Sequence, residues 1–421
     1  MIFVLLILCV YYSWATNAEQ QPAGVEAAEQ VAGMIQPGEN LLIAGRNAPE
    51  DNLFVGALKA RTGGTAETVT GEPAEIRAAL EACATKGKAL QVIALTPAVA
   101  SWPVFENIST KFPALGNPRI VTPRSYRSPN FLKPDNLLNV ANQIAVIAII
   151  AIGMTIVILT AGIDLSVGSL VALSAVGATM AIRSHGAEQA SAATMVMCSL
   201  VAIVLCGGIG AISGMLITTF EIPAFITTLA MMLIASGQAS LSSESQSVYQ
   251  VPDSFVWLGR GAQIGGIPNA VILMLALYAI AYVVMSRTVV GRYVYAVGGN
   301  AEAARLSGVP VKTVLVLAYA ISGMMAGLGG VVLASQLKSG APTYGVMYEL
   351  YVIAAVVVGG TSLSGGEGKI LGTLIGALII AVIQNGMNLT GVQSEKQKIV
   401  LGAVILGAVL LDKLKKRLSG G

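Results

Sequence analysis

Few residues in this sequence have the types and spacing that catalysis or metal binding requires. The single histidine, His185, falls in a polar stretch beside Glu188, where solvation accounts for it without a site. The four cysteines form no Cys-x-x-Cys pair, so they indicate neither a zinc site nor a disulfide framework. We therefore predict no catalytic residue, no metal site and no cofactor, and we predict that the chain is not an enzyme.

The segment GGTSLSGGEGK at 359–369, here called the glycine turn, contains two short sequences that resemble nucleotide-binding motifs. Its LSGGE sequence resembles the signature motif of ABC ATPases, and Gly368-Lys369 resembles the end of a phosphate-binding loop. Such a loop also needs a glycine where this chain has Leu363, and a serine or threonine where it has Ile370. We therefore interpret the segment as a break between two helices.

Asp164 lies in another glycine-rich interruption of the apolar pattern, TAGIDLSVGS at 160–169, here called the Asp164 break. An acid at such a position either caps the following helix or belongs to a transport path. Its place before Leu165 and Ser166 fits an N-cap, which is the interpretation we favour, and the two roles are compatible.

The third interruption, GGNAEAARLSGVPV at 298–311, is here called the docking segment. It predicts a short helix over 301–306 that is closed by Gly308 and Pro310. Such a helix either lies in the membrane interface or docks a partner. We favour docking, because one turn of helix with so little apolar area would bind a membrane weakly.

The elements that must position these interruptions are membrane spans. Of the 421 residues, 55% are hydrophobic and 11% are charged, whereas an average soluble domain is roughly a quarter charged. A helix satisfies its own backbone hydrogen bonds and needs about 20 apolar residues to cross a bilayer. The formal net charge of +3, without a basic stripe, gives no indication of nucleic-acid binding.

The apolar runs predict an all-α polytopic membrane protein of about ten transmembrane helices. The first run covers 2–14 and is interpreted as an uncleaved span, with signal-peptide cleavage after Ala15 or Ala18 as the alternative. The remaining spans are expected at 138–160, 165–183, 192–217, 224–241, 269–286, 311–336, 349–360, 370–388 and 398–411.

Between the first two spans the composition changes to that of a soluble domain. Short apolar runs alternate there with helical stretches, which predicts a small α/β insert of the βαβ type with a parallel sheet. Strands are expected at 41–45, 66–71, 90–96 and 119–121, and helices at 51–61 and 73–85. We divide the chain into a first transmembrane helix at 1–15, the insert at 16–127, a multi-span transmembrane domain at 128–412 and a tail at 413–421.

Lysine and arginine in short loops predict the orientation, because such loops favour the cytoplasm. The loop 287–312 carries four cations against one acid, and the C-terminus ends with a cluster of lysines and one arginine. An even number of predicted spans separates the two segments. Counting back from them places both termini in the cytoplasm and the insert outside.

Small residues recur at four-residue spacing in three of the predicted spans. Such pairs let helix backbones approach closely, so we expect ordinary bundle packing at these positions. The pairs are Gly210 and Gly214, Gly323 and Gly327, and Gly372 and Gly376.

Three long segments together resemble the permease subunits of bacterial ABC importers for ribose and related sugars, in the branched-chain amino acid/ribose permease superfamily. They are GMTIVILTAGIDLSVGSLVALS, GRYVYAVGGNAEAARLSGV and ELYVIAAVVVGGTSLSGGEGKILGTLIGALIIAVIQNGMNLTGV. The resemblance covers nearly everything from Ser128 to the C-terminus. It implies a homodimeric permease in the bacterial inner membrane, driven by a separate cytoplasmic ABC ATPase and supplied with a monosaccharide by an extracytoplasmic sugar-binding protein.

The resemblance also implies roles for particular residues. The loop that contacts the ATPase would comprise Gly298, Gly299, Asn300, Glu302, Arg305 and Gly308. Candidates for the translocation path are Asp164, Ser166, Ser364, Asn385 and Asn388.

The insert departs from the family pattern, in which the first span leads directly into the segment seen here at 128–131. Its sequence is similar to part of a periplasmic-binding-protein lobe, and its ligand, if any, would be expected near Arg46, Glu72 and Thr96, where strands end. A membrane sensor with an external ligand-binding domain is the alternative function. An ion-coupled transporter would require ionisable residues within the spans, and almost none is present apart from Glu349.

Overall fold

The computed structural model describes residues 1–63, 66–87 and 89–419. The chain separates into two compact units. One comprises Met1–Thr16 with Asn130–Gly421, and the other comprises Asn17–Pro129. The first unit begins with helix α1 (Ile2–Ala15).

The unit Asn17–Pro129 contains six strands and five α-helices among its described residues. The strands are β1 (Asn17–Gln20), β2 (Leu41–Gly45), β3 (Glu67–Thr70), β4 (Val92–Leu95), β5 (Arg119–Val121) and β6 (Tyr126–Pro129). The helices are α2 (Gly24–Ala32), α3 (Pro49–Arg61), α4 (Pro73–Thr85), α5 (Pro97–Ala100) and α6 (Ile108–Lys111).

Four of these strands form a parallel sheet in the order β3-β2-β4-β5. Alternate residues of a strand point to opposite faces, and here both faces are covered. Leu42 of β2 belongs to a buried cluster with Ile76 of α4, whereas Ile43 belongs to another with Phe54 of α3. Strands are added on one side of β2 first and then on the other, so the strand order reverses between β2 and β4. β1 pairs with β6 and brings the ends of the unit together.

The other unit continues with twelve helices, from α7 to α18. These are α7 (Pro134–Leu159), α8 (Val167–Ser184), α9 (Ala192–Thr219), α10 (Ala224–Ser242), α11 (Trp257–Arg260), α12 (Asn269–Arg287), α13 (Val289–Gly299), α14 (Ala301–Leu306), α15 (Val311–Leu337), α16 (Tyr348–Val358), α17 (Ile370–Leu389) and α18 (Ser394–Ser419).

Seven helices among the described residues are long and apolar enough to cross a membrane, namely α7, α8, α9, α10, α12, α15 and α17. The protein is thus a polytopic membrane protein. Two further apolar helices, α1 and α16, have 14 and 11 residues, fewer than the roughly 20 that a straight span requires. The expectation of about ten spans would include these two helices and α18. Gly420 and Gly421, the end of the expected tail, lie outside the described residues.

Helix α7 forms the centre of the bundle. The apolar segment of α7 is 89% buried, whereas those of α9 and α10 are 33% and 28% buried. Since lipid is as apolar as these side chains, the exposed faces need no cover in a membrane.

The glycine pairs confirm the expected close packing. Gly210 and Gly214 of α9 face the backbone of α15, and a Cβ at Gly214 would lie 2.7 Å from the Cα of Val316. Gly327 of α15 faces α9 in return, with 3.0 Å to the Cβ of Cys206. Between α16 and α17, Gly372 and Gly376 approach backbone carbonyl groups in the same way.

Candidate functional site

The carboxyl end of α7 forms one side of a junction between all three glycine-rich interruptions. Ala161 has a φ of 61°, in the left-handed region that often ends a helix. The Gly162 N–H donates a 3.0 Å hydrogen bond back to the Val157 carbonyl. The Leu159 carbonyl is thereby left facing away from the helix, available to other segments.

The glycine turn and the end of α13 both contact that carbonyl. The Gly366 N–H donates a 2.9 Å hydrogen bond to the Leu159 oxygen. A Cβ at Gly298 would overlap the same oxygen and would lie 2.6 Å from the Gly366 nitrogen. A Cβ at Gly365 would lie 2.8 Å from the Gly298 carbonyl and 2.9 Å from the Cβ of Ala161. We call Leu159, Ala161, Gly298, Gly365 and Gly366 the junction.

Tyr295 fastens α13 to the glycine turn from the other side. Its hydroxyl donates a 2.8 Å hydrogen bond to the Gly368 carbonyl. Within the turn, the Ser362 N–H donates to the Glu367 carbonyl at 2.8 Å. The segment is thus a compact turn between α16 and α17, which agrees with its interpretation as a helix break.

Asp164 is buried, with 1% of its surface exposed. Its Oδ1 accepts hydrogen bonds from the Ser166 N–H at 3.0 Å and the Ser166 hydroxyl at 2.6 Å, and its Oδ2 accepts from the Ser322 hydroxyl of α15 at 2.7 Å. Helix α8 begins at Val167, so the N-cap position belongs to Ser166 and not, as the sequence indicated, to Asp164. The carboxylate instead connects the break to α15.

Two further polar side chains lie against the Asp164 break. Tyr319 of α15 is also buried, and its ring hydroxyl lies against Gly162, where a Cβ would overlap it. The Thr228 hydroxyl of α10 donates to the Ile163 carbonyl at 3.3 Å. Asp164 makes no ion pair with the described residues, so three hydrogen-bond donors take the place of a countercharge.

The docking segment contains a short helix that is exposed except at one buried residue. The Asn300 side chain caps α14 by accepting a 2.9 Å bond from the Ala303 N–H. Ala304 is buried, whereas Leu306 is 78% exposed. Gly308 has a φ of 85°, which favours glycine after the helix.

The two expected charged contacts of this helix pair with each other. Arg305 donates to Glu302 through Nε at 3.1 Å and through Nη2 at 2.5 Å. The hydrogen bond and charge of Arg305 lower the pKa of Glu302. Both side chains are about two-thirds exposed, so a partner could reach them.

The expected path residues lie in separate places. Asp164 and Ser166 share the network described above, and Ser364 is exposed in the glycine turn. The Asn385 amide exchanges hydrogen bonds of 2.9 and 3.0 Å with Asn136, near the opposite end of α7. Asn388 is exposed and accepts a 2.8 Å bond from Gln397.

In the unit Asn17–Pro129, two of the three residues expected near a ligand, Arg46 and Thr96, contact the same side chain. The Asp51 carboxylate of α3 accepts from the Arg46 N–H at 2.8 Å, from Arg46 Nε at 3.2 Å and from the Thr96 hydroxyl at 3.0 Å. Burial opposes ionisation of Asp51, but these hydrogen bonds outweigh it and lower its pKa. Glu72 is separate and serves in a capping box with Glu75 at the start of α4.

The sequence did not point to Ser322 or Tyr295 as members of the site. A hydroxyl inside an otherwise apolar span was the available signal for Ser322, because such a group must find a partner away from water. Tyr295 has no comparable signal in the sequence. Its hydroxyl donates to a backbone carbonyl, and a backbone group does not depend on residue type.

Membrane-capable helices around a buried polar connection, with an exposed helix between two spans, fit the architecture of a membrane transport protein. The chain belongs to the family of permease components described as the branched-chain amino acid transport system permease component, whose profile matches residues 136–409. The expected family resemblance is thereby confirmed, and the chain is an ABC-transporter permease subunit, not an enzyme.

Several curated relatives are sugar import permeases. The ribose import permease protein RbsC of Escherichia coli K12 is 44% identical over 297 residues, which cover 69% of this chain and 89% of the relative. RbsC of Bacillus subtilis is 43% identical over 315 residues, covering 74% and 95%. The galactose/methyl galactoside import permease protein MglC of Escherichia coli K12 is 38% identical over 301 residues, covering 69% and 90%. No solved structure matches this chain significantly.

Proposed function

We propose that this chain imports a ribose-type monosaccharide across the bacterial inner membrane as one half of a permease homodimer. An external binding protein delivers the sugar, and a separate cytoplasmic ATPase supplies the energy. The similarity to ribose import permeases over most of their length supports this assignment. In the proposed topology, about ten spans include α1, α16 and α18, both termini are cytoplasmic, and the insert is external.

The observation that carries the mechanism is the position of the junction. Helix α14 would be the surface that the ATPase contacts. It is joined to α13, which contacts Leu159 through Gly298, and to α15, which contacts Asp164 through Ser322. Movement of α14 by the ATPase would therefore act on both sides of the Asp164 break, and so on the ends of α7 and α8.

Reversal of one charge on α14 should weaken ATPase binding. We expect Arg305→Glu or Glu302→Arg to lower affinity for the ATPase about tenfold, because charge complementarity at an interface rim sets specificity and association rate. The measurement is equilibrium binding of the ATPase to the purified permease, with sugar uptake in proteoliposomes as a second readout. Arg183→Glu, an exposed change on the predicted outer side, is the control.

The double variant separates docking from helix stability. Combining Glu302→Arg with Arg305→Glu restores the intrahelical pair in the opposite direction. If the partner recognises the charges, the double variant stays defective. Recovery of ATPase binding by the double variant, or full binding by both single variants, would remove the pair from the interface.

The proposed orientation predicts labelling from opposite sides. In a background without the native cysteines, Ser254→Cys and Ser307→Cys are both exposed positions, one before α12 and one after α14. An impermeant maleimide added to intact cells should label the first and not the second, and inverted vesicles should reverse the result. Labelling of both from one side would refute the orientation.

We infer that the insert is an external domain that contacts the binding protein. The strand order of its parallel sheet reverses between β2 and β4, and open α/β sheets place ligands at such points, beyond the carboxyl ends of the strands. Arg46 and Thr96 follow those two strands and are joined by Asp51. A small polar ligand at this point is the narrower form of the same proposal.

A further inference from the structure

A cavity of about 780 Å³ lies where α12, α13 and the beginning of α17 come together. Two close contacts form it. A Cβ at Gly291 would overlap the Met285 carbonyl, so the absence of a side chain there lets α13 fold back against the end of α12. The Tyr295 hydroxyl, bonded to the Gly368 carbonyl at 2.8 Å, then holds α13 against the glycine turn.

These contacts bring two cationic side chains to the wall of the same cavity. Arg292 follows Gly291 and Lys369 follows Gly368, and both side chains line the cavity. Both residues are exposed, and neither makes an ion pair within the part of the chain that the structure describes. No acidic side chain is among the lining residues, so the positive charge of the cavity is not compensated there.

The other walls of the cavity are apolar. Met285 and Ile370 are buried beneath it, whereas Tyr282 and Leu371 are 45% and 46% exposed. Helix α12 ends at Arg287 and α17 begins at Ile370, and both helices are membrane-capable. The cavity therefore lies at span ends, where a bilayer changes from hydrocarbon to headgroups. Solvated cations alone would account for the charges, but not for an amphipathic cavity around them.

We propose that this cavity binds the headgroup of an anionic phospholipid. Arg292 and Lys369 contact the phosphate oxygens, since guanidinium and ammonium groups are the usual partners of phosphate. Tyr282 and Leu371 contact the glycerol and the first acyl carbons. Basic pockets between membrane helices on the cytoplasmic side are known to take such headgroups. None of the candidate path residues lines this cavity, and the proposal goes beyond import itself.

The test measures lipid retention by the purified full-length chain. Delipidated protein in neutral detergent is incubated with phosphatidylglycerol or phosphatidylcholine, and bound lipid is counted by native mass spectrometry. We expect phosphatidylglycerol to bind at least tenfold more tightly than phosphatidylcholine, and the preference to vanish in the double variant Arg292→Gln with Lys369→Gln. Lys312→Gln, which removes an exposed cation at the start of α15 that does not line the cavity, should leave binding unchanged.

Two further measurements distinguish a lipid headgroup from free phosphate and control for misfolding of the variants. Inorganic phosphate at millimolar concentration should not displace the lipid, because it lacks the apolar contacts. Arg292→Lys keeps the charge and should retain most of the preference. Equal retention of the two lipids, an unchanged preference in the double variant, or displacement by inorganic phosphate would each overturn the proposal. Because no ATPase or sugar is present, these results are independent of the import function.

Discussion

Replacing Gly298 with alanine should abolish ATP-driven transport and destabilise the bundle. The new Cβ would overlap the Leu159 carbonyl, which also accepts the Gly366 N–H, and backbone lies on both sides. Overpacking of this kind costs about 1–3 kcal/mol and sometimes more, and we expect the upper end because no flexible side chain can yield. Detergent-solubilised protein should show a lower unfolding temperature, and proteoliposomes should show no uptake.

Gly299→Ala is the matched control for that change. Gly299 is the next residue and the last of α13, and a Cβ there would meet nothing within 4 Å. Stability should be unchanged or slightly improved, since alanine favours helix by about 1 kcal/mol over glycine. Equal behaviour of the two variants would show that Gly298 does not pack against Leu159. Loss of ATPase binding with normal stability in both would assign the glycines to docking instead.

Asp164→Ala should be similarly severe. It removes the acceptor of three buried donors, two from Ser166 and one from Ser322. Buried donors without acceptors cost about 1–3 kcal/mol each, so we expect stability to fall by about 3 kcal/mol or more. Asp135→Ala, in the exposed first turn of α7, is the control and should cost less than about 1 kcal/mol.

Asp164→Asn distinguishes the two roles that the sequence left open. The amide keeps the shape of the side chain and one acceptor oxygen, and the Ser322 hydroxyl can rotate to accept from its NH₂ group. A purely structural Asp164 should therefore tolerate this change in both stability and uptake. Normal stability with lost uptake would assign the negative charge to transport. If Asp164→Ala unfolds no more readily than Asp135→Ala, the connection to α15 contributes nothing.

The membrane character, the three interruptions and the family of this protein follow from the sequence alone. Transfer of an apolar helix into lipid is a property of the segment itself, so composition and run length determine most spans. Likewise, helices are interrupted by local backbone preferences, here those of the glycines, Asp164 and Pro310. The family motifs are equally local, so the resemblance depends on no tertiary contact.

Span ends were the least secure part of that prediction. Helices α1 and α16 are apolar but have 14 and 11 residues, fewer than the roughly 20 that a straight span requires. Similarly, Ser166 and not Asp164 takes the N-cap position of α8, and it makes no side-chain capping hydrogen bond. The Asp164 carboxylate accepts locally from Ser166 and, across the bundle, from Ser322 of α15, and the second contact is tertiary.

Only the tertiary structure decided which interruptions meet. Gly298 could be assigned to a docking loop from its motif, but its overlap with Leu159 depends on α7 and α13 being neighbours. The pairing of Asn385 with Asn136 depends in the same way on how α17 packs against α7. A bilayer accepts any apolar helix surface, so hydrophobicity does not choose neighbours; steric fit between small residues and the satisfaction of buried polar groups do.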